Sequence, residues 1–285
     1  MICDTNKIIG GKVAECKRKT EKYSTIRRRF LPAEAIFANK NDKIMKKAVI
    51  IGATSGLGLE TARLLHGDGW TVGLMGRRIE RLEAAANKLK ERVFTKVVDI
   101  RDKAADQQLI ALIGEIGGVD LVFHVAGIGK QNMGLTTDIE LSTVETNALG
   151  FTRMVTAAFN HFADKGHGHI AVVSSIAGTK GLGAAPAYSA TKRFQNTYIQ
   201  CLAQQSKMRG LDIAFTDIRP GFVDTDLLKG GHYPMLMQPS YVAKHIVKAL
   251  YRRKRKVVID WRYTILTFFW QLIPDCIWER LPIKS

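Results

Sequence analysis

Apolar residues in this chain come in short unbroken runs, separated by stretches where they recur every three or four positions. The runs are KAVIIGA (47–53), TVGLMG (71–76), VFTKVVDI (93–100), VDLVFHVAGI (119–128), HIAVVSS (169–175), DIAFTDIRPG (212–221) and KVVIDW (256–261). Helical spacing fills 57–69, 79–91, about 102–116, 138–164, 186–208 and 239–254. Near-continuous apolar strands alternating with amphipathic helices predict an α/β chain whose parallel sheet is covered on both faces. An open, doubly wound sheet in a single domain accounts for residues 45–261. A closed barrel is the weaker reading, because it needs no glycine-rich turn after the first strand and this chain has one. Residues 1–44 show no clear periodicity and read as a leader outside the fold.

That turn is GATSGLG (52–58). Glycine admits backbone angles closed to other residues and lets a phosphate approach the chain. The following helix offers unpaired N–H groups and a partial positive charge. Strand, turn and helix in this order make a site for a dinucleotide pyrophosphate, and a plain tight turn is the bland alternative. A second candidate is AYSATK (187–192), where Tyr188 and Lys192 stand four apart and share a helix face. Taken alone, that pair reads as ordinary surface.

Composition changes the picture only at the ends. An apolar fraction of 46% supports a full core. Cys3, Cys16, Cys201 and Cys276 lie far apart, with no Cys-x-x-Cys or Cys/His cluster. Neither a metal nor a disulfide framework is expected, and a reducing, cytoplasmic compartment is. The formal charge of +17 is uneven: residues 1–44 hold 11 Lys/Arg against 5 Asp/Glu, and RRKRK fills 252–256. Such runs suit nucleic acid, an anionic membrane or plain solubility. Without aromatic interleaving or a recognition module, nucleic acid is not expected. The first 44 residues lack a signal peptide's apolar core, and Met45, directly before the first strand, is an alternative start.

The segment RYTILTFFWQLIPDCIWERL (262–281) is aromatic-rich and broken by Pro274. Its apolar stretch is well short of the ~20 residues a spanning helix needs. It can lie on a membrane surface, pack on a second subunit, or fold back over the substrate cleft. Peripheral membrane contact and a homo-oligomer rank equal.

GATSGLG, the AGI at 126–128, Asn147, the serine pair 174–175 and YSATK stand in the order found in the short-chain dehydrogenase/reductase family, which the chain resembles over roughly residues 46–261. The G-x-x-x-G-x-G spacing and Y-x-x-x-K match its short form. The resemblance implies a Rossmann-type fold and an NAD(P)-dependent oxidoreductase that interconverts a carbonyl and an alcohol on a small molecule, and membrane attachment of residues 262–285 would favour a lipophilic one. It implies Tyr188 as proton donor or acceptor, its pKa lowered by the Lys192 ammonium and the positive nicotinamide ring. Lys192 would also bond the nicotinamide ribose, Ser175 would hold the substrate oxygen, and Asn147 would help link a water to the lysine. Ser174, pointed elsewhere by strand alternation, is a packing or backbone-bonding residue. Gly52, Thr54, Ser55, Gly56, Leu57 and Gly58 would hold the pyrophosphate, Asp99 and Ile100 the adenine. Ala126, Gly127, Pro220, Gly221, Val223 and Thr225 would line the nicotinamide side. An NAD enzyme of this fold usually carries an acidic residue at the end of its second strand. Here Gly76 stands there and Arg77 and Arg78 follow, so NADP(H) is expected over NAD(H).

After the sixth strand, residues 226–239 read as a mobile cover over the substrate, with Leu227, Leu228, Met235 and Leu236 as candidate contacts. The chain departs from the family at Ile51, where threonine is common, and at His124 and Val125, where Asn-Asn is common. His124 reads as a buried strand residue bonded to backbone. Two other functions remain. An epimerase or dehydratase acting on nucleotide sugars shares the Tyr/Lys pair, but its G-x-x-G-x-x-G turn and larger substrate domain are absent. A non-catalytic dinucleotide-binding regulator would not need the phenol.

Overall fold

The computed structural model describes residues 46–228 and 233–283. The expectations for residues 1–44, the start at Met45 and the middle of the 226–239 segment fall outside the described residues. Strand β1 (Lys47–Ile51) leads into helix α1 (Gly56–Gly67), β2 (Thr71–Gly76) into α2 (Ile79–Leu89), and β3 (Val93–Val97) into α3 (Ala105–Ile116). After β4 (Leu121–His124) come α4 (Thr137–Val144), a π-helical turn (Glu145–Gly150) and α5 (Phe151–Lys165). Then follow β5 (His167–Val173), a 3-10 turn (Ile176–Gly178), α6 (Pro186–Met208) and β6 (Asp212–Pro220). A second 3-10 turn (Asp226–Leu228), α7 (Pro239–Tyr251), β7 (Lys256–Ile259), α8 (Trp261–Leu272) and α9 (Asp275–Trp278) complete the order.

The strands form one sheet in the order β3-β2-β1-β4-β5-β6-β7, with every neighbouring pair parallel. This is the doubly wound Rossmann-type sheet. Chain order reverses between β1 and β4, and open α/β sheets bind ligands at such a crevice. Ile51 pairs with Met75 on one side and His124 on the other, so three strands end level there.

Alternation along β1 shows why both faces are covered. Ala48 and Ile50 join the layer that contains α1, α7 and Tyr263. Val49 and Ile51 point the other way, into the layer built on α3, α5 and α6. Burying one such aliphatic side chain stabilises by about 1.5–3 kcal/mol, so neither face can be left to water.

Two features differ from the sequence pattern. Strands end earlier than their apolar runs at the ligand edge. Gly52 and Ala53 both donate to the Met75 carbonyl (2.8 and 3.0 Å), and Val125 and Ala126 both donate to that of Ile51. Two donors on one acceptor curl the chain out of the ladder. The expected helix 138–164 is interrupted by the π turn at 145–150, which lets Asn147 face the sheet.

The C-terminal segment folds back on the domain. Asp260 caps α8 by accepting from the Arg262 N–H (3.0 Å). Tyr263 is buried, and its hydroxyl meets the Pro234 and Met235 carbonyls and the Phe222 N–H. Trp278 is buried too; its Nε1 donates to the Gly181 carbonyl (2.6 Å), and Lys180 pairs with Asp275.

Candidate active site

Ser175 follows β5 at the sheet's carboxyl edge. Its backbone is extended (φ −172°), and its Oγ caps the next 3-10 turn by accepting from the Ala177 N–H (3.1 Å). Tyr188 sits in the first turns of α6, which Pro186 starts. Between Ser175 and Tyr188 the loop closes on itself: the Ser189 hydroxyl donates to the Ala177 and Lys180 carbonyls and accepts from the Leu182 N–H. This places the Ser175 hydroxyl close enough to the Tyr188 phenol to oppose its upward shift. Strand alternation turns Ser174 away, as expected. Its hydroxyl donates to the buried Asp217 carboxylate (2.5 Å).

Lys192 stands one turn beyond Tyr188, with Nζ 5.7 Å from the phenol ring centroid. The ammonium donates to the Val173 carbonyl (3.0 Å) and to Gln195 Oε1 (3.1 Å). Burial pushes it down to about 8, and the Asp217 carboxylate opposes that shift. The same burial pushes the Tyr188 phenol above its ordinary value, only partly offset by the Ser175 hydroxyl. The lowering expected at Tyr188 is a joint effect of the Lys192 ammonium and a positive nicotinamide ring, and the protein's own contribution is this burial.

Asn147 is fully buried in the π turn. Its side chain clasps the loop after β4: Oδ1 accepts from the Ile128 N–H (2.9 Å), and Nδ2 donates to the Ile128 carbonyl (2.7 Å). The Asn147 carbonyl accepts from Gln195 Nε2 (2.8 Å). Gln195 therefore ties Asn147 to Lys192 directly. The sequence carried no signal for it, since a glutamine within a helix reads as solvated. Gly129 was missed as well: a Cβ there would lie 2.5 Å from the Tyr188 ring.

The turn after β1 is built for close approach. Gly52 has φ +96°, and a Cβ on Gly58 would stand 2.2 Å from the Gly52 carbonyl oxygen. Gly56 and Leu57 open α1, and the Ser55 side chain makes no cap bond to that helix. Instead Ser55 Oγ accepts from Arg78 (2.8 Å), as does Thr54 Oγ1 (2.7 Å). Gly76 leaves no room for an acid: its Cβ would meet the Thr54 methyl at 2.5 Å. Arg77 lies 3.8 Å from Asp99, whose carboxylate is gripped by Arg101 and held below its usual range by that bond. Asp99 follows β3, which ends at Val97. Ile100 is buried, and its carbonyl accepts from Arg153. Ala126 and Gly127 lie between these groups; a Cβ on Gly127 would be 3.2 Å from Asn147 Oδ1 and 3.5 Å from Lys192 Nζ.

The segment after β6 crosses the same crevice. Gly221, after Pro220, donates to the Ile259 carbonyl, and Val223 bridges to Met237. The Thr225 methyl is 3.2 Å from where a Gly56 Cβ would be, and Asp226 pairs with Arg78 and Arg81. Leu227 and Leu236 are exposed, whereas Met235 packs against the core. His124 is buried against the edge of Phe151, and burial pushes it down to about 3. Its Nε2 finds no partner among the described residues. A cavity of about 1220 Å³ lies behind the 178–184 loop, bordered by Arg193, Arg219, Gln271 and Trp278. Neither Ser175 nor Tyr188 lines it, so the side-chain geometry, and not this cavity, locates the chemistry.

A profile of the short chain dehydrogenase family matches residues 46–235. The chain is 30% identical over 242 residues to an uncharacterized oxidoreductase of Myxococcus xanthus, covering 82% of this chain and 95% of that one. It is similar to the structure of an alcohol dehydrogenase from the archaeon Thermococcus sibiricus complexed with 5-hydroxy-NADP. The TM-score is 0.67 at 26% identity, covering 75% of this chain and 96% of the other. A 3-ketoacyl-(acyl-carrier-protein) reductase from Brucella melitensis, complexed with NADH, shares the fold with TM-score 0.69 at 22% identity, over 77% and 98% of the two chains.

Proposed function

This chain belongs to the short chain dehydrogenase family of oxidoreductases, and from that premise we propose that it interconverts a carbonyl and an alcohol with NADP(H). The observation that carries this reading is the Tyr188–Lys192 pair, with Nζ 5.7 Å from the phenol ring and Ser175 at the same carboxyl edge of the sheet. The chain's residues fit a nicotinamide dinucleotide. Gly52 and Gly58 leave no room for a Cβ, as a backbone that a phosphate must approach requires, and Arg78 stands beside that turn with Arg77 and Arg81 near. When bound, the dinucleotide supplies or takes up the hydride at the substrate carbon.

The remaining work falls to side chains. Ser175 Oγ and Tyr188 Oη hold the substrate oxygen and stabilise its developing charge, a preorganised electrostatic effect. In reduction Tyr188 gives its proton to that oxygen, and a phenol raised by burial is a protonated donor at neutral pH. In oxidation it takes the proton, and the Lys192 ammonium favours the phenolate. Gln195 and Asn147 fix where that ammonium stands. The 2′-phosphate would find Arg78 on Thr54 and Ser55, and Gly76 offers no carboxylate to the ribose. Exposed Leu227, Leu236, Met133 and Leu135 favour a lipophilic carbonyl compound. Exposed Leu141, Val144, Leu149 and Phe194 on and around α4 and α6 favour self-association.

The test is nicotinamide absorbance over a panel of apolar ketones and alcohols, with wild type and Tyr188→Phe. Removing the acid–base group should cut turnover by ~10²–10⁴-fold while dinucleotide affinity stays within a few fold. Turnover in the phenylalanine variant equal to wild type would sink the assignment.

A further inference from the structure

Helix α8 has two faces. Tyr263 and Thr267 are buried, and Leu266 and Trp270 pack partly against the core. The other face carries Trp261, Ile265, Phe268, Phe269 and Leu272, each between 48% and 68% exposed. Positions 261, 265, 268 and 272 follow one line along a helix. No charged residue occurs between Tyr263 and Pro274. Monomeric soluble proteins rarely leave so continuous an apolar strip to water. At 12 residues the helix is about 18 Å long, and no described helix is long and apolar enough to cross a membrane.

The surroundings of the strip point to its partner. Helix α8 packs back along β7, and Gln271 near its far end lines the same cavity as Lys256, the first residue of that strand. Lys256 closes the run Arg252, Arg253, Lys254, Arg255, Lys256, and all five are exposed. Trp, Phe, Ile and Leu in a strip with cations gathered at one end suit a helix lying in the headgroup layer of an anionic bilayer. The apolar side chains enter the acyl boundary, and the cations meet lipid phosphates. We propose that α8 and Arg252–Lys256 form a docking surface for an anionic phospholipid bilayer. This goes beyond the redox reading and stands without it.

The test is co-sedimentation of the full chain with vesicles of equal parts phosphatidylglycerol and phosphatidylcholine, and with vesicles of phosphatidylcholine alone. Wild type should pellet with the anionic vesicles, less so as salt rises, and poorly with the zwitterionic ones. Phe268→Glu/Phe269→Glu should lower partition at least ~10-fold, since each substitution puts a charge into the acyl boundary. Each cation removed from 252–256 should lower it roughly fivefold. A second pair, Trp261→Gln/Ile265→Gln, guards against misfolding of the first, with melting temperature and dinucleotide binding as checks. Wild type left in the supernatant overturns the proposal. So does equal partition onto both vesicle types. It is also overturned if the variants convert a larger assembly to a smaller one in ultracentrifugation with unchanged vesicle binding, because a second copy then covers the strip.

Discussion

Arg78 donates to both Thr54 and Ser55, on the turn that leads into α1. A 2′-phosphate at that point would receive a charge-assisted fork, each such bond worth about 1.5–3 kcal/mol. Arg78→Ala should therefore weaken NADPH binding by roughly 10–100-fold and leave NADH nearly unchanged, as read by fluorescence titration with each cofactor. Equal loss for both would assign Arg78 to the turn and not to the phosphate. Gly129 supplies a second test. A methyl group there would press on the Tyr188 ring at 2.5 Å, and an ångström of displacement at a reacting group can cost about 10²-fold. Gly129→Ala should lower kcat by about that factor with substrate KM little changed. At this scale the family resemblance pointed to Ser175, Tyr188, Lys192 and Asn147, because each stands in a short motif. It could not name Gln195 or Gly129, whose roles come from contacts between segments far apart in the chain.

Helix α8 shows how one element holds another. The Tyr263 hydroxyl meets the Pro234 and Met235 carbonyls and the Phe222 N–H, so it clasps both limbs of the segment crossing the cleft. Removing it leaves those buried groups unpaired, at about 1–3 kcal/mol. Tyr263→Phe should lower the melting temperature by several degrees and raise substrate KM several-fold, while dinucleotide affinity holds. An unchanged KM would confine Tyr263 to stability. The π turn at 145–150 is a second element-scale feature. One extra residue per turn barely alters the apolar periodicity of residues 138–164, so the pattern reads as continuous helix. The insertion became visible only with Asn147 bonded to Ile128, and such bulges often accompany functional sites.

For the molecule as a whole, two buried histidines tie stability to pH. Burial pushes His124 down to about 3 and His169, next to Thr216, down to about 4, from an ordinary 6.5. The unfolded chain therefore binds more protons than the folded one across this window. Stability is present above pH ~6.5 and falls as pH drops through it, by up to about 1.4 kcal/mol per pH unit for each histidine. Melting temperature measured from pH 7 to pH 4 should fall, and His124→Asn/His169→Gln should flatten the fall. An unchanged slope would place the sensitivity elsewhere. The sequence by itself determined the layered parallel sheet and the glycine turn and pointed to the proposed acid–base residues, because periodicity and short spacing are local properties of the chain. Only the tertiary structure decided the direction of the Tyr188 shift, the Gln195 link and the two-sided use of α8. Desolvation, contact and exposure are properties of the packed whole, and no run of residues contains them.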